Sequence, residues 1–199
     1  MGLIEPPELL RRHRLTVDEY YRMAETGVLA PDARVELIEG EIVDMAPIGT
    51  RHGSTVKRLV QLLTAAVGDR AIVSVQDPVR LSRRSEPQPD LMLLAPREDY
   101  YADAHPTAAE VLLLIEVSDT TARYDRVIKL GLYARHAVPE VWIVDLDNQL
   151  LRVYRLPQGE VYTEVMETAS PGPLAPLLLP GVVIDASKLL SRAFQATTV

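Results

Sequence analysis

The most constraining stretch of the chain is Val111-Leu112-Leu113-Leu114-Ile115-Glu116-Val117, apolar at every position but one. A run this short and apolar on both faces fits a central strand, covered by helices on each side of its sheet. The neighbouring patterns supply those layers. Val56, Leu59, Val60, Leu63 and Val67 recur at helical spacing over residues 50–67, and Gly68 follows. A second helix is expected from about residue 123 to 136. Strands are expected at residues 72–75, 78–81, 89–94 and 141–144, with a closing hairpin of 150–156 and 161–166 turning at Gln158-Gly159. Earlier in the chain, Thr16-Val17-Asp18-Glu19 reads as a capping box that opens a short helix, which Gly27 can end. Glu39-Gly40 then turns a hairpin within residues 34–45. The fold class is α/β, built around a mostly buried sheet.

A length of 199 residues fits one domain with a substantial core. Residues 1–14 carry two prolines and three arginines and read as an arm. Residues 15–199 read as a single domain, best defined from about Thr16 to Val165, with a Pro-rich extension from about 170 and a short helix at 186–193. The absence of cysteine excludes disulfides and any thiolate zinc or iron–sulfur site. The first residues lack the basic-then-apolar order of a secretory signal, and no apolar run approaches the roughly 20 residues that span a bilayer. A cytoplasmic protein with no membrane partner is the expectation.

The net charge of −7 and pI near 5.1 weigh against a protein that coats nucleic acid by bulk attraction. They do not exclude a metal-dependent nuclease, whose clustered carboxylates lower the pI. Arg80, Arg83 and Arg84 form a local basic cluster, for which a solvated loop is the plainer reading.

Two acids stand out by position. Asp90 opens one apolar strand and Glu116 lies near the end of the next. An ionised carboxylate costs several kcal/mol to desolvate unless it is paired or binds a cation. If the strands are neighbours, the two could converge on one hard cation, Mg²⁺ or Mn²⁺, with water and a backbone carbonyl completing the shell. The competing reading is that each acid caps a turn or meets an arginine.

The wider pattern narrows the choice. Val35-Glu36-Leu37-Ile38-Glu39-Gly40-Glu41-Ile42-Val43 is followed by His52, Pro89-Asp90 and Ile115-Glu116-Val117-Ser118. It continues through Tyr124-Asp125, Lys129, Tyr133 and Val138-Pro139-Glu140-Val141-Trp142-Ile143-Val144-Asp145. Over about residues 15 to 165 this resembles the Uma family of restriction-endonuclease-like nucleases, in the PD-(D/E)XK superfamily. The resemblance implies a restriction-endonuclease-like core, with a central mixed β-sheet flanked by helices and an N-terminal helix and hairpin. It also implies an endonuclease that hydrolyses phosphodiester bonds of nucleic acid, DNA ahead of RNA, with Mg²⁺ or Mn²⁺ on Asp90 and Glu116. Glu36 matches the acid of the family's early hairpin and would support the site, and His52 matches near the start of a helix.

One position departs. The signature's lysine would stand two residues after Glu116, where this chain has Ser118. Lys129, on the following helix, is the candidate replacement, expected to point into the cleft near Glu116 and to affect turnover more than stability. Its bland alternative is a surface pair with Asp125 at i, i+4, worth about 0.2–0.5 kcal/mol. Trp142 and Tyr133 are expected in the core. A homodimer would suit a duplex cut on both strands, although no residue demonstrates one. Two rivals remain: a catalytically inactive nuclease-fold binding or scaffold protein, favoured by Ser118 and the acidic balance, and a metal hydrolase of small phosphoesters.

Overall fold

The computed structural model describes residues 12–118 and 123–190, residues 123–127 by their backbone alone. Local signals set the first elements. The Thr16 hydroxyl accepts from the Glu19 amide while the Glu19 carboxylate accepts from the Thr16 amide, and α1 (Val17–Glu25) follows from this capping box. Glu39 and Gly40 both take positive φ, 49° and 79°, closing the hairpin of β1 (Val35–Ile38) and β2 (Glu41–Asp44). A Cβ on Gly40 would lie 2.8 Å from the Arg14 Cβ and 2.9 Å from the Leu15 backbone. Gly40→Ala therefore meets an unfavourable dihedral and a main-chain clash together. We expect it to lower stability by about 1–3 kcal/mol, and an unchanged urea midpoint would contradict that account.

Next comes α2 (Thr50–Val67), which buries Val56, Leu59, Leu63 and Val67, with Gly68 at φ 53° just beyond it. The main sheet has the order β3 (Ile72–Val75), β4 (Leu91–Leu94), β5 (Val111–Ser118), β6 (Glu140–Asp145), β7 (Leu150–Gln158), β8 (Val161–Thr168). Only β5 and β6 run parallel, joined through α3 (Arg123–Arg135), so the sheet is mixed. β5 lies inside it, which is why its sequence is apolar on both faces. Leu113, Ile115 and Val117 pack with α2 on one side, whereas Leu114 joins Tyr133 and Ala134 of α3 on the other. Each fully buried leucine of this kind contributes about 1.5–3 kcal/mol.

The expected strand at 78–81 does not form. Gln76, at φ 53°, turns the chain out of β3, and Pro78 has no N–H to give a ladder. The segment instead folds on itself, Val79 N–H donating to Pro87 and Leu81 N–H to Ser85, with one isolated bridge from Arg80 to Thr107. After Ser170 the chain returns to the α2 face through β9 (Pro173–Leu174) and β10 (Ile184–Asp185). There Val182, Ile184, Ala186 and Leu189 join the core. Glu140, fully buried, fixes that return by accepting from Trp142 Nε1 (2.6 Å), Arg155 Nε (2.8 Å) and the Leu177 amide (2.5 Å). Of the expected terminal helix, Ala186–Lys188 forms a single 3₁₀ turn, and residues 191–199 lie outside the described residues. Among the described residues no helix is long and apolar enough to cross a membrane.

Candidate active site

The register of β4 against β5 creates the site. Leu91 pairs with Ile115 in antiparallel fashion, so one further step sets Asp90 opposite Glu116. Opposed residues of an antiparallel pair share a face, and both carboxylates enter one cleft of about 450 Å³. Their side chains are only 13% and 17% exposed, which puts them at its floor. Ser118, on the same face two residues on, also borders the cleft and is buried.

Each acid is held in place. Asp90 Oδ2 accepts from the Val117 amide at 2.8 Å and lies 3.0 Å from His52 Nε2, on the first turn of α2. Glu116 Oε1 accepts from the Tyr133 hydroxyl at 2.6 Å. Lys129 reaches the cleft from α3, its ammonium 3.8 Å from Glu116 Oε1 and 2.9 Å from Glu36 Oε2. Glu36 arrives from β1, is buried, and accepts from the Gln88 amide at 3.0 Å. Thus Asp90, Glu116, Lys129, Glu36 and His52 come together from five separate elements or their ends. The side chain of Asp125, the alternative partner for Lys129, lies outside the described residues.

The charges respond to this crowding. Burial pushes the Glu116 carboxyl up to about 7; Lys129 opposes the shift, and the nearby Asp90 and Glu36 carboxylates add to it. Burial alone would lower the Lys129 ammonium, but Glu116 and Glu36 outweigh it and hold it above the usual lysine range. Burial, then the same two carboxylates, keep the Tyr133 hydroxyl protonated and therefore a donor. A carboxyl whose folded pKa is raised binds protons more readily in the native state than in the unfolded one. Glu116 therefore costs stability as pH rises from about 4.5 to 7. Glu116→Gln should raise the melting temperature in EDTA at pH 8 and have much less effect at pH 5. Equal shifts at the two pH values would refute the assignment.

The structure also revises one expectation about Lys129. Its shorter contact is with Glu36, so removing it strands a buried carboxylate and lowers stability, where little change in the fold was expected. Tyr133 and Trp142 are both core residues as expected, on opposite sides of the sheet. Tyr133 has a second part, its hydroxyl on Glu116, which its sequence position alone did not assign. The available signal was its place one turn beyond Lys129, together with the need of a buried tyrosine hydroxyl for a partner. Arg34, Gln76 and Gln88 border the cleft too and carried no such signal. The Arg80, Arg83, Arg84 cluster does not border it: Arg80 pairs with Glu86, and Arg83 and Arg84 are exposed.

Among the described residues no group of three His, Cys, Asp or Glu side chains is arranged to hold a metal ion. A smaller set, two carboxylates, is what Mg²⁺ can use. Mg²⁺ commonly takes one or two carboxylates and completes its shell with water and substrate phosphate. Asp90 and Glu116 border the cleft as such a pair, and burial of Glu116, opposed by Lys129, disfavours its ionised form.

No curated protein matches the chain at a significant level. Among solved structures, a putative nuclease of DUF820 from Anabaena variabilis ATCC 29413 superposes with a TM-score of 0.68. That likeness covers 88% of this chain and 97% of the other at 19% identity, and it shows the fold. The model of the Uma2 family, described as "Putative restriction endonuclease", matches residues 17–187, and on that match the chain belongs to the Uma2 family.

Proposed function

We propose that the chain is a metal-dependent endonuclease that hydrolyses phosphodiester bonds of DNA. The observation that carries the reading is the opposition of Asp90 and Glu116 in one cleft with the Lys129 ammonium beside them. Asp90 and Glu116 would hold Mg²⁺ or Mn²⁺. Bound there, the ion would polarise a phosphoryl oxygen and lower the pKa of an attacking water.

The protein's own groups supply orientation and charge. The Val117 amide and His52 fix the Asp90 carboxylate, and Tyr133 fixes one oxygen of Glu116. Lys129 orients water or offsets charge gathering on the phosphate, in the place the absent lysine at Ser118 would serve. Glu36 positions Lys129. The family description, a restriction endonuclease, supports DNA as the substrate.

A binding protein without turnover is the second reading, favoured by the closer contact of Lys129 with Glu36 than with Glu116. The deciding experiment is cleavage of plasmid DNA, RNA and an aryl phosphodiester in Mg²⁺ and Mn²⁺, with Asp90→Ala as control. Metal-dependent nicking of the plasmid by the wild-type chain alone is the expected result. Inactivity on every substrate, or equal activity in the variant, would leave the binding protein. Turnover of the aryl diester alone would point to a small-molecule hydrolase.

A further inference from the structure

The rim of the cleft differs in chemistry from its floor. Residues 45–49 join β2 to α2 and line the same cleft as the acids, and within them Ala46, Pro47 and Ile48 are consecutive, apolar and exposed. Ile48 is 46% exposed. Such a run on a surface is unfavourable unless something covers it.

The loop is nevertheless built firmly. The Met45 amide donates to the Arg34 carbonyl at 2.8 Å, and Arg34 Nη1 donates to the Ala46 carbonyl at 3.0 Å. Pro47 fixes its own φ and keeps Ala46 extended. The same bond that steadies the loop presents Arg34. Its guanidinium borders the cleft and, among the described residues, forms no ion pair, even with the adjoining Asp44. Lys129, by contrast, is engaged by two carboxylates. Four acids, Glu36, Asp44, Asp90 and Glu116, border the cleft, so a phosphate is welcome on this rim chiefly where Arg34 stands.

An anion-binding guanidinium beside an apolar ledge suits a ligand that carries both a phosphate and an uncovered apolar face. In a paired duplex the base faces are stacked against one another, so a duplex offers this ledge no apolar face unless a step is unstacked. An unpaired strand has free base faces and a backbone that bends at each nucleotide. Isoleucine and proline side chains pack on base faces where a duplex step has been unstacked. An unpaired strand presents such faces without that cost, beside the cationic groove that single-strand sites use to hold the backbone. A cleft of about 450 Å³ falls in the range that encloses one small ligand.

We infer that the cleft takes an unpaired nucleic-acid strand in preference to an intact duplex, with a backbone phosphate on Arg34 and a base against Pro47 and Ile48. This inference rests on the nuclease reading above and specifies its substrate. The test uses the full chain and one labelled oligonucleotide as a single strand, as a blunt duplex, and as a duplex with an unpaired tail. Cleavage is followed in Mn²⁺, and binding by fluorescence anisotropy in EDTA, for the wild type, Ile48→Asp, Arg34→Ala and Arg34→Lys. Both side chains are exposed, so global melting should change little. Because Arg34 also holds the Ala46 carbonyl, Arg34→Lys, which keeps the charge, separates loss of charge from loosening of the loop.

The single strand and the tail should be cut at least about tenfold faster than the duplex, the scale of one base contact. Ile48→Asp should weaken single-strand binding by a similar factor and remove the preference. Arg34→Ala should raise KM far more than it lowers kcat, with Arg34→Lys restoring part of the loss. Cleavage without strand preference, or a preference that survives Ile48→Asp, would overturn this inference and leave the nuclease reading standing. Failure to cut any of the three substrates would overturn both.

Discussion

Asp90→Ala is expected to abolish cleavage, by at least about 10³-fold, because it removes one of two carboxylates that hold the ion and with it several kcal/mol of transition-state stabilisation. The second readout is thermal. A ligand present at 100 times its Kd stabilises the folded state by about 2.7 kcal/mol, so millimolar Mn²⁺ should raise the melting temperature of the wild type. Neither Asp90→Ala nor Asp90→Asn should respond. The two variants differ in the absence of metal. The alanine leaves the Val117 amide without its acceptor, whereas the asparagine keeps one and also relieves repulsion against Glu116. Asp90→Asn should therefore match or exceed the wild type in EDTA, with Asp90→Ala below it. A Mn²⁺ response that persists in both variants would place the ion elsewhere.

Lys129→Ala should lose about 10²-fold in kcat, the effect of deleting one positioned electrostatic group. It should also lose roughly 3 kcal/mol of stability, since Glu36 is then buried without its partner. The two consequences are separable. In Lys129→Met combined with Glu36→Gln, neither charge remains, so stability should largely return while turnover stays low. Should the double variant instead cut DNA at the wild-type rate, Lys129 would be a structural cation and the missing lysine at Ser118 would have no replacement.

The chain announces its layers more clearly than its site. The five apolar positions of α2, the continuous run of β5 and the Thr16–Glu19 box are local patterns with one physical solution each, and all three form as written. The segment 78–81 shows the limit of that logic. Its β-forming residues were outweighed by Pro78 and by a left-handed turn at Gln76 that no local preference of glutamine announces. Glu36 was harder still. Period-two alternation makes it look outward from a hairpin, and its burial depends on α3 and Gln88 arriving from remote parts of the chain. Asp90 and Glu116 were legible as strand-end acids because buried charge is rare enough to need a reason. Which oxygen each neighbour holds, Tyr133 on Glu116 and His52 on Asp90, is a tertiary fact that residue spacing does not encode.

The antiparallel pairing of β4 with β5 has a consequence for how such proteins diverge. The two acids face each other because of strand register, and the 16 residues from 95 to 110 that separate the strands take no part in setting it. Insertions and deletions at the exposed part of that connection therefore leave the opposition of the two acids unchanged. A single residue gained in the regularly paired stretches beside the acids, within 91–93 or 113–115, would turn one carboxylate to the opposite side of the sheet. The bulge at Leu112, by contrast, shows that an extra residue at the far end is absorbed. The number of residues between Asp90 and Glu116 is thus free to drift, whereas the odd-or-even position of each acid within its strand is not. A pattern search with a fixed gap between the two halves of the motif will lose distant members, and one that keys on strand parity will retain them.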